Sequence, residues 1–114
     1  TRHPHVIAQA ELDWLQGSGL WEEGRYKEFY IRLSDILRQY VERRYDVPAM
    51  RLTTTELARD LRALSIERRV ISAVKDLFDR ADLAKFAKWK PESGLGEKEI
   101  AAGREIVADS APTP

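Results

Sequence analysis

The sequence predicts an all-α protein: a small bundle of four main helices plus a shorter C-terminal one, joined by short loops and running largely antiparallel. Three observations carry this. Between Glu23 and Val47 the apolar residues Tyr26, Phe29, Tyr30, Leu33, Leu37, Tyr40 and Val41 recur in steps of three and four, which lines them up along one side of a helix. A second run, Ile66, Val70, Ala73, Val74, Leu77, Phe78 and Ala81, repeats the pattern. Between them, Thr53-x-x-Glu56 has the spacing of a capping box, in which the hydroxyl and the carboxylate each satisfy the other's orphan backbone N–H. No strand-like alternation competes.

Pro4 suits a first helical turn, and Ile7, Ala10, Trp14 and Leu15 suggest a helix from about Pro4 to Gln16, ended by Gly17-Ser18-Gly19. Leu20 and Trp21 sit in a connector too apolar to float free. The central helix carries Lys27, Glu28, Arg32, Asp35, Gln39, Glu42 and Arg43 on its outer side, with Glu28 and Arg32 at acid-before-base spacing. It ends near Asp46, because Pro48 disfavours helix at Val47. The capping box opens a short third helix with Leu57, Ala58, Leu61 and Leu64 inward and Leu52 and Leu57 as its staple; it ends about Ala63 or Leu64. Ser65 is placed to cap the fourth helix. After Ala81 the phase shifts to Leu83, Phe86, Ala87 and Trp89, so a kink or stop is expected near Asp82. Pro91, Ser93, Gly94 and Gly96 read as a loop. A last helix from about Glu97 to Ala108 presents Ile100, Gly103 and Val107, with Gly103 allowing close approach. Ser110 to Pro114 reads as a disordered tail, leaving 1–109 as one domain.

With 114 residues, 43% hydrophobic and 33% charged, the chain suits one globular core with a heavily charged surface. Nineteen basic and nineteen acidic residues cancel, so the total lacks the basic footprint expected of a nucleic-acid binder. The absence of cysteine excludes disulfides and thiolate metal sites. No run of about eighteen apolar residues is present to span a membrane.

Catalysis needs positioned acids, bases or nucleophiles. The chain offers His3 and His5 near its start and carboxylates that all fall on expected outer faces, so no catalytic set, metal site or cofactor site is expected. Gly17-x-Gly19 and Gly94-x-Gly96 lack the context of a phosphate-binding loop. Leu52 to Ser65 could open a helix-turn-helix, the alternative nucleic-acid reading. Its second helix would then have to be polar and basic, whereas Val70 to Phe78 reads as core.

The segment from Glu28 to Leu61, with Phe29-Tyr30-x-x-Leu33-Ser34, Arg38-x-Tyr40 and Thr53-Thr54-x-Glu56-Leu57, followed by Ala81 to Pro91 with Ala81-Asp82-Leu83-x-Lys85-Phe86-Ala87, resembles the cytoplasmic domain of certain bacterial membrane-anchored proteins. These include the C-terminal region of the BatD-type oxygen-tolerance proteins. The resemblance, from about Pro4 to Val107, implies a transmembrane helix outside this sequence and a place at the cytoplasmic face of the inner membrane. It further implies an adaptor role beside a MoxR-type AAA+ ATPase and von Willebrand factor A domain proteins. It supplies no catalytic residues. A monomer is expected, since no long heptad seam demands a second chain.

Two readings fit Asp82 to Trp89. In one, Phe86 folds back on the central helix as core, and its loss would cost roughly 3 to 5 kcal/mol. In the other, Phe86 is the buried anchor while Lys85, Lys88 and Trp89 form an exposed basic-aromatic patch that a protein partner grips.

Overall fold

Among the described residues there are five α-helices, α1 (Pro4–Gln16), α2 (Tyr26–Tyr45), α3 (Thr54–Arg62), α4 (Arg68–Phe86) and α5 (Leu95–Ser110), with one 3₁₀ turn at Ala49–Arg51. The computed structural model describes residues 2–113. The all-α bundle expected from the periodicity is what forms. One core collects Leu12 and Leu15 from α1, Phe29, Tyr30, Leu33, Leu37 and Tyr40 from α2, Leu57 and Leu61 from α3, Leu77 and Phe78 from α4, and Ile106 and Val107 from α5.

Side-chain pairs fix the helix directions. Arg38 of α2 bonds Thr54 of α3, and Thr54 in turn bonds Asp82 of α4. Arg80 near the end of α4 meets Glu99 near the start of α5, and Arg69 at the start of α4 meets Asp109 at the end of α5. Arg104 of α5 reaches back to Gln9 and Asp13 of α1. The two α4–α5 pairs lie at opposite ends of both helices, so α4 and α5 are antiparallel. Tyr30 pairs with Glu99 and Tyr40 with Ser110, so α2 and α5 run parallel, with α1 and α4 packed against both.

The local signals explain most boundaries. Both halves of the capping box are present: Glu56 N–H donates to Thr53 Oγ1 at 3.1 Å and Thr53 N–H donates to Glu56 Oε1 at 2.9 Å. Helix α2 ends at Asp46, whose φ of 56° is left-handed and whose N–H bonds Glu42. Leu20 is buried, and Trp21 lies edge-on to Tyr26, Phe29 and Tyr30, as its apolar connector required.

Several expectations are corrected. Helix α1 buries Ala8, Leu12 and Leu15, while Ala10 and Trp14 point outward. Leu64 is exposed. Ser65 does not cap α4; Glu67 holds that position without a side-chain bond. Helix α5 is not the short one: its 16 residues exceed the 13 of α1 and the 9 of α3. It starts two residues early because Gly94, at φ 86°, turns the chain directly into it. It keeps Ser110, whose hydroxyl donates to the Ile106 carbonyl and accepts from the Tyr40 hydroxyl at 2.7 Å. Ser110 is therefore buried helix and not tail. Of the expected tail, Pro114 lies outside the described residues. Close approach belongs to Gly96, not Gly103. A Cβ on Gly96 would lie 2.6 Å from the Trp21 ring, whereas one on Gly103 would make ordinary contacts at 3.4 to 3.6 Å with Leu12, Leu33 and Leu37.

Candidate functional site

The end of α4 is where sequence and structure differ most. No kink or stop occurs at Asp82; the helix continues to Phe86. At about 100° per residue, Leu77, Ala81 and Ala84 stay on the core side while Leu83 and Phe86 continue the outward stripe of Ser72, Asp76 and Asp79. The shift of phase turns apolar side chains to solvent. Phe86 is 82% exposed and Leu83 48%.

At Ala87 the backbone becomes extended (φ −128°, ψ 159°), which ends the helix and brings Trp89 back onto the bundle. The Trp89 ring lies 5.9 Å from that of Tyr30 and packs against the core, and Pro91 beyond it is buried. Both sequence readings buried Phe86, and the second exposed Trp89. The structure reverses the two.

Lys88 and Lys90 are exposed beside this turn, while Lys85 is half-buried. Burial lowers the Lys85 pKa, and Asp82 and Asp35 oppose that effect. Of the expected patch, then, Lys88 remains on the surface, Lys85 is half-buried, and Trp89 becomes its support. Phe86, Leu83 and Lys90 complete the surface. Sequence reasoning missed Phe86 because both readings buried it, and missed Leu83 because neither gave it a place on the surface.

Two buried polar clusters lie behind it. Glu99, 1% exposed, receives Arg80 Nε at 2.9 Å and Nη2 at 2.8 Å, and accepts the Tyr30 hydroxyl at 2.5 Å. This corrects the expectation that all carboxylates lie outside. Its signal was present: Gly96, Glu99, Gly103, Ile106 and Ser110 recur in steps of three and four along the inward face of α5. Burial, then the bond to Glu99, raises the Tyr30 pKa far above its usual value, and the bond to Glu99 raises that of Arg80. With two guanidinium donors and a hydroxyl on one carboxylate, the cluster ties α2, α4 and α5 together. In the second cluster, Arg38 Nη1 donates to the Ala49 and Leu52 carbonyls at 2.7 Å each, and its guanidinium lies 4.7 Å from the centre of the Phe78 ring. This satisfies the carbonyls of the α2–α3 connection.

Two clefts remain. One of about 160 Å³ is lined by Leu15, Trp21, Phe29, Gly96 and Ile100. The other, about 230 Å³, lies between α1 and α2, where Trp14 faces Arg32 at 6.0 Å beside Glu11 and Asp35. Among the described residues no group of three histidines or carboxylates is placed to hold a metal ion, and His3 and His5 stack on each other at 5.5 Å.

For the nucleic-acid alternative, α4 would be the reading helix. Its Val70, Ile71, Val74, Leu77 and Phe78 are core, Arg69 pairs with Glu67 and Asp109, and its outward stripe carries Asp76 and Asp79.

No protein-family model matches the chain, and comparison with curated proteins and with solved structures gives no match. Among the described residues no helix is long and apolar enough to cross a membrane.

Proposed function

We propose that this chain is a non-catalytic protein-interaction domain, an adaptor that works as a monomer without a cofactor. The observation that carries this reading is Phe86, an aromatic side chain 82% exposed beside Leu83 and Lys88, on a helix end held in place by the core contact of Trp89. Interfaces are enriched in aromatic residues, whereas an isolated surface phenylalanine contributes little to its own fold. The resemblance to the cytoplasmic domain of BatD-type proteins supports the particular setting: the cytoplasmic face of the bacterial inner membrane, with a MoxR-type AAA+ ATPase or a von Willebrand factor A domain protein as partner.

Co-purification of the tagged domain with the MoxR-type ATPase and the von Willebrand factor A domain protein of the same organism tests the reading. Retention of either one that is lost in Phe86→Ser supports it. Retention that survives the substitution moves the site elsewhere, and retention of neither removes these partners.

A further inference from the structure

The charge around Phe86 says what kind of segment covers it. Between Leu83 and Lys90 there are three lysines and no carboxylate, in a chain whose net charge is zero. Lysines near a helix C-terminus complement its dipole, which accounts for their sign. It does not account for Leu83 and Phe86, which face water on the same two turns.

Resting on the adaptor reading, we propose that the end of α4 docks an acidic protein segment carrying apolar side chains, which cover Phe86 and Leu83 while its carboxylates meet Lys88 and Lys90. A second copy of this chain does not fit, because a two-fold contact through this patch sets lysines against lysines. An anionic bilayer fits less well. The outward stripe of α4 carries Asp76, and Asp79 paired with Lys75, before Leu83, and Glu92 follows the lysines, so a broad negative plane resting on Phe86 meets carboxylates on both sides. A peptide lying across the last turn of α4 touches only the basic, apolar part. The rigid mounting favours this: Trp89 on Tyr30 and buried Pro91 hold the turn, so docking orders little new backbone.

The test is a selection of random peptides of about twelve residues, displayed on phage, against the immobilised full chain. It is followed by anisotropy titrations of the recovered peptides and sedimentation with vesicles of three parts phosphatidylcholine to one part phosphatidylserine. Recovered peptides are expected to be enriched in Asp and Glu with at least two large apolar residues. They should bind Phe86→Ser about tenfold or more weakly, the loss expected for a central apolar anchor. Lys88→Glu with Lys90→Glu should weaken them comparably and flatten the salt dependence. Circular dichroism melts of both variants should stay within a few degrees of the parent, since the altered side chains are exposed.

Peptides without acidic bias, or an affinity unchanged in Phe86→Ser, overturn the docking site but leave the adaptor reading standing. Failure to recover any peptide overturns the acidic-segment proposal, and the co-purification above then decides the adaptor reading by itself. Vesicle binding that depends on Phe86 overturns the peptide in favour of lipid.

Discussion

Replacing Phe86 by alanine separates the two ways of reading the end of α4. As a core residue it would cost about 3 to 5 kcal/mol on truncation, a large part of the roughly 5 to 15 that holds a domain together. The structure gives a different figure. With 82% of the side chain exposed, 18% is covered. On an aromatic surface of roughly 200 Å² that is about 36 Å², worth about 0.9 kcal/mol at 25 cal/mol per Å². Alanine's better helix propensity returns a few tenths, leaving a net loss of about 0.5 kcal/mol. Trp89→Ala is the control: its ring packs on Tyr30 and the core, so its loss should cost about 2 to 4 kcal/mol. Urea unfolding followed by far-ultraviolet circular dichroism reads both from the midpoint at constant slope. A loss above about 3 kcal/mol for Phe86→Ala, or one larger than that for Trp89→Ala, would refute the assignment of Trp89 as support and Phe86 as free surface.

Gly96→Ala should destabilise by about 1 to 3 kcal/mol because its Cβ would meet the Trp21 ring at 2.6 Å, while Gly103→Ala should be neutral or stabilising, by up to about 1 kcal/mol. The same urea titration checks the pair, and a reversed order would mean that α5 does not pack as described. Glu99→Gln should cost about 2 to 4 kcal/mol, since it leaves the partly buried Arg80 guanidinium without its carboxylate; a neutral result would mean the pair contributes nothing net. Stability should fall in alkali. Burial raises the pKa of Tyr30 and Tyr40, so above about pH 10 the unfolded chain releases phenolic protons that the folded chain keeps. Their contribution is complete below that pH and lost above it. Melting temperatures measured upward from neutral pH should drop there, and an equal drop in Tyr30→Phe with Tyr40→Phe would assign the effect to other groups.

How much of this was legible in the sequence depended on whether a residue's role is local. The capping box at Thr53 and Glu56 involves one turn of backbone, and it forms as read. The stripe of α2 was equally clear, because Tyr30, Leu33, Leu37, Tyr40 and Val41 face one side whatever covers them. Glu99 was assigned outward by residue type although its spacing was inward. Only the fold supplies the Arg80 and Tyr30 partners that make a buried carboxylate tolerable. Gly94 and Gly96 were read as punctuation, yet one starts α5 and the other makes room for Trp21, a neighbour far earlier in the chain.

The phase shift after Ala81 shows why a candidate site is hard to see in advance. Apolar periodicity marks a helix face, and it marks a core face only if another element covers it. The inward face of α4 is already supplied there by Ala81 and Ala84, small residues that let α4 lie close to its neighbours. No position remains inside for Leu83 or Phe86 without bending the helix. Asp82 works against such a bend: its carboxylate accepts the Thr54 hydroxyl at 2.8 Å, and Thr54 is in turn bonded by Arg38. Arg80 is fixed on Glu99 one half-turn earlier, and Trp89 is seated on Tyr30 just beyond the helix. The segment is thus pinned on both sides of Phe86, so the exposed aromatic is a consequence of the packing around it and stays presented in one direction to whatever binds.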